Sequence, residues 1–74
     1  MRKTSSRKMI GAGLKKQRIK KSISLQELAS LMNVDRQYIW KIENGKINLT
    51  LDYLDKLLFH LDCDTLTFFK NIRE

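Results

Sequence analysis

Three polar side chains with the chemistry of base recognition lie close together near the middle of this chain. Arg36, Gln37 and Lys41 fall on one face when the segment is drawn as a helix, at about 100° per residue. A guanidinium can hold O6 and N7 of a guanine together, and a glutamine amide can hold N6 and N7 of an adenine. Lys41, one turn further on, can reach a guanine or a phosphate. The alternative is that all three form the solvated side of an amphipathic helix.

The same face carries a large aromatic residue, and the opposite face is apolar. Trp40 and Asn44 share the polar face, Ile39 and Ile42 lie across from it, and Tyr38 stands at the boundary. Trp40 can press against sugar and base edges, or its ring can cover neighbouring lysine stems. Tyr38 can donate to a phosphate or form a wall of the core. We therefore expect a helix with one buried face and one face open to a ligand.

A second short helix is predicted immediately before this one. Ser24 and Glu27 have the spacing of a capping box, and an apolar stripe follows them. The next helix has a good N-cap in Asp35 and a good terminating residue in Gly45. Asn33 tolerates a positive φ and suits the tight turn between the two helices. In a small basic chain this unit favours sequence-specific DNA binding.

The N-terminal part of the chain predicts one more helix. It is expected at about residues 9–21, and Gly11 and Gly13 are expected to weaken its start. Residues 1–8 are polar and basic, so they are expected to form a flexible arm. Residues 9–74 then form a single helix-turn-helix domain.

Two further helices are expected after a loop at residues 46–49. Thr50 caps the first, and its core stripe is Leu51, Leu54, Leu57, Leu58 and Leu61. Asp64 caps the second, and its apolar residues are Leu66, Phe69 and Ile72. No segment has the alternation of a strand. The predicted fold class is therefore all-α, a compact five-helix bundle.

Charge is distributed unevenly along the 74 residues. The net charge is +7, nine of the fifteen basic residues lie in the first 21 positions, and no acid precedes Glu27. A basic end on a globular body favours a polyanionic partner. The alternative is a solvated surface that serves solubility.

Other chemistry has little support in the sequence. Cys63 is the single cysteine, so an intramolecular disulfide is excluded. His60 and Cys63 stand three apart, but two ligands without a second pair do not make a zinc site. There is no credible nucleophile with a base, so neither an enzyme nor a cofactor is expected. No apolar run is long enough for a membrane span, and a cytoplasmic protein without a membrane partner is expected.

From about Ile10 to Phe69 the chain resembles the Cro and phage-repressor type of helix-turn-helix, the XRE family. The matching residues are Ile10-Gly11, Leu14, Arg18, Leu28-Ala29, Ile39, Ile42-Glu43-Asn44-Gly45, Thr50 and Leu54. Residues 35–39 with 48–50 look most like controller proteins of restriction–modification systems, which often carry Asp-Arg-Thr-Tyr-Ile. Gln37 departs from that pattern, which leaves the operator sequence open. Leu25 replaces a glutamine that contacts DNA in several phage repressors, so that contact is absent.

The resemblance implies a lambda-repressor-like fold with the third helix in the major groove. The residues expected to read bases are Arg36, Gln37, Trp40 and Lys41. The residues expected to hold the DNA backbone are Ser24, Gln26, Tyr38, Asn44, Lys46 and Asn48. An ion pair between Arg18 and Glu43 is also implied, and the alternative is two separate surface charges.

The predicted function is a sequence-specific transcriptional regulator that binds a pseudo-palindromic operator in double-stranded DNA as a homodimer. The expected dimer interface is Phe59, Leu66, Phe68, Phe69 and Ile72, although Leu66 and Phe69 could instead complete the core. Two alternatives remain open. One is an antitoxin that binds a toxin protein and autoregulates its operon, and the other is a nonspecific basic nucleic-acid binder. The sequence does not separate an activator from a repressor.

Overall fold

Five helices follow one another in residues 5–72, the part of the chain that the computed structural model describes. They are α1 (Ser6–Lys20), α2 (Leu25–Met32), α3 (Arg36–Glu43), α4 (Leu51–His60) and α5 (Thr65–Ile72). No strand occurs in that range, and the all-α five-helix prediction is confirmed. Within the same range, no helix has both the length and the apolar composition needed to cross a membrane.

Each helix begins at a side chain that accepts a hydrogen bond from the first turn. These caps are Ser5, Ser24, Asp35, Thr50 and Asp64. The last four are the caps that the sequence predicted, and Ser24 forms the complete capping box with Glu27. At α5, hydrogen bonds from the Thr67 amide and hydroxyl hold the pKa of Asp64 below its usual value. Local side-chain chemistry therefore sets where the helices start.

The first helix starts earlier than predicted. It begins at Ser6 rather than at about residue 9, because the hydroxyl of Ser5 accepts the N–H of Lys8 at 3.1 Å. Residues 6–8 therefore belong to α1 and not to an arm. Ser5 of the predicted arm caps α1, and residues 1–4 lie outside the described residues.

Left-handed residues end several of the helices. Asn33 has φ 59° between α2 and α3, as predicted, and Gly45 has φ 72° after α3. Ser22 and Asp62 have φ 58° and 54° after α1 and α4. The sequence analysis did not single out these two residues. A left-handed residue thus follows each of the first four helices and lets the chain turn there.

The core takes side chains from all five helices. Its buried apolar residues are Leu14, Leu28, Ala29, Ile39, Ile42, Leu54, Leu57, Leu58, Leu61 and Phe68. Leu51 was predicted in this set but is 75% exposed. It is the first residue of α4, and the helix enters the core only one turn later, at Leu54.

The last helix uses a different apolar residue from those predicted. Phe68 is only 2% exposed and completes the core, whereas Leu66 is 71% exposed. The reason is that α5 packs on α1 at Gly13. A Cβ at Gly13 would lie 2.7 Å from Ile72 Cγ1 and 3.1 Å from Phe68 Cζ. The missing side chain therefore lets these two residues approach α1.

Candidate nucleic-acid interface

The α2–α3 pair forms the predicted helix-turn-helix. The left-handed Asn33 reverses the chain, and the Val34 N–H donates to the Ala29 carbonyl at 2.9 Å. Ile39 and Ile42 of α3 are buried against the core. The orientation of α3 is therefore set by its apolar face.

The opposite face of α3 is exposed and brings together the residues predicted to read bases. These are Arg36, Gln37, Trp40 and Lys41. Trp40 is a large aromatic side chain that remains 46% exposed. The same face ends at Asn44, and its Nδ2 donates to the Trp40 carbonyl at 2.9 Å. One of the two amide hydrogens of Asn44 therefore closes the helix, and the other remains for a phosphate.

The start of α2 is exposed at Ser24 and Gln26, but part of its hydrogen-bonding capacity is already used. The Ser24 N–H donates to Glu27 Oε1 at 2.8 Å, and the Glu27 N–H donates to Ser24 Oγ at 3.0 Å. The backbone N–H groups of Leu25 and Gln26 lie in the first turn of α2 and have no carbonyl partner within the helix. A phosphate contact at this helix end stays a prediction, and the carboxylate of Glu27 stands at the same end.

The loop after α3 holds Lys46 and Asn48, both exposed. The Lys46 N–H donates back to the Lys41 carbonyl at 2.9 Å, which closes the end of α3. Gly45 packs against the start of α1, because a Cβ there would lie 2.9 Å from Lys8 Cα. Lys46 therefore lies next to the place where the end of α3 contacts the beginning of α1.

Tyr38 is half-buried and packs edge-to-face on Tyr53, with ring centroids 6.0 Å apart. This contact makes Tyr38 a wall of the core, and a phosphate contact by its hydroxyl stays a prediction. The Tyr53 hydroxyl is buried without a hydrogen-bond partner among the described residues. Burial, and then the proximity of Tyr38, raises the pKa of Tyr53. Sequence reasoning missed Tyr53, because nothing local distinguishes it from an exposed helix residue.

A buried ion pair connects α3 to α1. Arg18 Nε donates to Glu43 Oε2 at 2.7 Å, and Arg18 Nη2 donates to Glu43 Oε1 at 3.2 Å. Arg18 Nη1 also donates to the Ile23 carbonyl at 2.8 Å. The ion pair that the resemblance implied is present, and the alternative of two separate surface charges is wrong. One guanidinium thus joins α1, the loop before α2 and the last residue of α3.

A glycine supports the same junction from the backbone side. A Cβ at Gly11 would lie 2.7 Å from the Glu43 carbonyl oxygen, so only glycine allows this approach of α1 to α3. The sequence analysis treated Gly11 only as a weakness in α1. The sequence did contain a signal for this packing role. Gly11 belongs to the Ile10-Gly11 pair that matches the XRE family, and a glycine shared with a family indicates close packing rather than low helix propensity.

Apolar surface remains on α4 and α5. Phe59 is 78% exposed, and Leu66 and Phe69 are also exposed. Phe68 was predicted in a dimer interface, but it is almost fully buried within its own chain and offers little surface to a second copy. Ile72 is half-buried against Gly13 and has less surface to offer.

Metal chemistry has no cluster to support it in residues 5–72, where no three His, Cys, Asp or Glu side chains lie together. His60 packs edge-to-face with Phe59, with ring centroids 5.3 Å apart. Cys63 is half-buried against the core, and burial raises the pKa of its thiol. Both residues have ordinary packing roles.

Comparison with known proteins identifies the family. Residues 14–68, about three-quarters of the chain, match the helix-turn-helix family. The chain belongs to the helix-turn-helix family. The resemblance to its Cro and phage-repressor type is confirmed. No curated protein matches the chain.

Solved structures of other helix-turn-helix proteins share the fold. A point mutant of the restriction–modification controller protein C.Esp1396I is 31% identical, with 88% of this chain and 87% of that chain covered and a TM-score of 0.80. The C.Esp1396I tetramer in complex with its natural 35-base-pair operator is 28% identical, with 95% and 92% covered and a TM-score of 0.82. The clp gene regulator ClgR from Corynebacterium glutamicum is 22% identical, with 97% and 92% covered and a TM-score of 0.90. At that identity ClgR bears on the fold alone.

Proposed function

We propose that this helix-turn-helix protein regulates transcription by binding a pseudo-palindromic operator as a homodimer, with α3 in the major groove. That the protein is a DNA-binding transcription regulator follows from the family match and from the similarity to C.Esp1396I, which was solved with its operator. The observation that carries the finer proposal is the exposed polar face of α3, held in place by the Arg18–Glu43 pair. A role as a restriction–modification controller or a phage-type repressor, in the cytoplasm, belongs to the same proposal.

Base recognition is assigned to four residues of α3. Arg36 would hold a guanine through O6 and N7, and Gln37 an adenine through N6 and N7. Each such pair contributes about 1–3 kcal/mol of discrimination. Lys41 would reach a guanine or a phosphate, and the exposed ring of Trp40 would press against sugar and base edges, including a thymine methyl.

A second group would hold the DNA backbone. Its members are Ser24, Gln26, Tyr38, Asn44, Lys46 and Asn48. They flank α3 at the start of α2, at the end of α3 and in the following loop. Contacts of this kind set the register of the protein on the duplex and carry little sequence information.

The homodimer is proposed from the apolar surface of α4 and α5. Phe59, Leu66 and Phe69 are exposed in the single chain, and burying them between two copies would remove apolar area from water. A two-fold axis through this surface would place two copies of α3 about one DNA turn apart, ~34 Å.

Selection of random DNA duplexes on the purified protein, at near-physiological salt, tests the proposal. The expected result is an inverted repeat with half-site centres about one turn apart. Binding without an enriched motif would contradict it and favour a nonspecific nucleic-acid binder. A copurifying toxin, with DNA binding that depends on it, would instead favour the antitoxin alternative.

A further inference from the structure

A groove runs between α1 and α5, and none of the residues assigned to DNA lines it. Its volume is about 650 Å³. The floor is apolar: Met9, Ala12, Gly13 and Ile72 line it, with a small contribution from the almost fully buried Phe68. Gln17 also reaches the floor, but its Nε2 already donates to the Leu61 carbonyl at 3.2 Å. The floor therefore favours an apolar occupant.

The charges along the groove have one sign. Lys8, Lys16 and Lys20 line it, and among residues 5–72 no acidic residue does so. Lys8 and Lys20 stand twelve residues apart on α1, which separates them by about 18 Å. Lys16 and Lys20 are a like-charge pair four residues apart, an arrangement that disfavours the helix slightly unless an anion is near. Positive charge thus stands at both ends of an apolar floor.

We propose that this groove binds an acidic amphipathic helix of a partner protein. An apolar helix face would lie on the floor, and carboxylates near both ends of that helix would meet the lysines. The length of about 18 Å corresponds to about twelve helical residues. This inference goes beyond the proposed DNA binding and gives the protein a second surface.

Other occupants match the groove less well. DNA supplies phosphates but no apolar face to cover the floor. A small anion with a single charged end leaves the lysine at the other end of the groove without a counter-charge. The chain's own residues 1–4 include Arg2 and Lys3 and no acid, so their charge does not complement the lysines.

Selection from a displayed library of random peptides of about twelve residues tests the proposal with the intact protein as bait. We expect enriched sequences with acidic residues flanking an apolar helix face. The double variant Lys16→Glu and Lys20→Glu should bind a synthetic copy of such a peptide at least about tenfold more weakly, and added salt should weaken the wild-type complex. Lys15→Glu with Lys56→Glu, at two exposed lysines outside the groove, is the charge-matched control and should retain binding.

A second variant addresses the floor. Ala12→Trp would fill the groove from an exposed position on α1, so it should abolish peptide binding while the thermal unfolding transition and operator binding persist. Operator binding measured separately distinguishes a failure of this inference from a failure of the proposed function.

Several outcomes would overturn the inference. Enrichment of neutral or basic peptides, no enrichment, or equal binding to the Lys16→Glu/Lys20→Glu variant would each do so. Self-association of the free protein that the same variant abolishes would assign the groove to a second copy. A loss of DNA affinity in that variant beyond the loss in its charge-matched control would assign the lysines to DNA.

Discussion

The guanidinium of Arg18 holds the carboxylate of Glu43 through two hydrogen bonds, from Nε to Oε2 at 2.7 Å and from Nη2 to Oε1 at 3.2 Å. Both side chains are buried. Glu43 is the last residue of α3, and α3 carries the proposed base-reading face. The pair therefore fixes α3 against α1, although neither residue lies on that face.

Breaking this pair on one side should destabilise the fold strongly. Arg18→Met leaves the Glu43 carboxylate buried without a partner and should cost about 3–5 kcal/mol. Urea unfolding of the variant measures the loss. The double variant Arg18→Met with Glu43→Leu removes both charges and should recover most of the stability. A single variant as stable as the wild type would contradict a buried, structural pair.

The two glycines of α1 should respond differently to alanine. Gly11→Ala places a Cβ against the backbone carbonyl of Glu43, which cannot move without shifting α3, so a loss of about 1–3 kcal/mol is expected. Gly13→Ala meets the flexible side chain of Ile72, and the gain in helix propensity of about 1 kcal/mol offsets part of the cost. Thermal unfolding compares them. Equal losses would contradict a greater need for glycine at Gly11 than at Gly13.

Arg36 should control one base pair in each half-site. Arg36→Ala should lose about 1–3 kcal/mol of discrimination there, because it removes the proposed bidentate contact to guanine. Competition binding against operators substituted at single positions measures it. Arg36→Lys keeps the charge without the planar fork, so it should lose the same discrimination and keep the salt dependence. Weaker binding with unchanged selectivity would indicate that Arg36 contacts the DNA backbone and not a base.

Gln37 should act at a neighbouring position in the same way. Gln37→Ala should relax the preference for adenine there by about 1–3 kcal/mol. The matched comparison is Gln37→Thr, since threonine stands at this place in the controller-type pattern. The Gln37→Thr variant should select a different base in a repeated duplex selection. An unchanged consensus from both variants would remove Gln37 from the base-reading set.

Lys46 should contribute affinity without selectivity. Lys46→Ala removes the proposed phosphate contact, so it should weaken binding to all duplexes alike and reduce the salt slope by about one. Binding isotherms at several salt concentrations measure the slope. Lys56→Ala, on the exposed side of α4, is the control and should leave the slope near the wild-type value. A base-specific loss from Lys46→Ala would place it among the reading residues.

Substitutions at the neighbouring residues Phe68 and Phe69 of α5 should affect folding and dimerisation separately. Phe69→Asp, alone or with Phe59→Asp, should give a folded monomer in sedimentation, because both side chains are exposed in the single chain. Phe68→Ala should instead cost about 3–5 kcal/mol of stability, because Phe68 lies in the core. A dimer that survives both exposed-site substitutions would move the interface elsewhere.

The features that could be predicted from the sequence are those that depend on neighbouring residues in the chain. The caps Ser24, Asp35, Thr50 and Asp64 and the left-handed turn at Asn33 were all predictable, since each acts within one helical turn. The two faces of α3 were predictable as well, because helical periodicity places its isoleucines opposite its polar residues. Each of these features is local in the chain.

Which apolar surfaces are buried could not be predicted, because it depends on how the helices pack together. Leu51 and Leu66 fit the apolar pattern of their helices and yet are exposed, whereas Phe68 completes the core. Periodicity describes a helix face, but the neighbouring helices determine how far along that face the core extends. The need for glycine at Gly11 and Gly13 also arises between helices, because it depends on the distance between segments more than thirty residues apart in sequence.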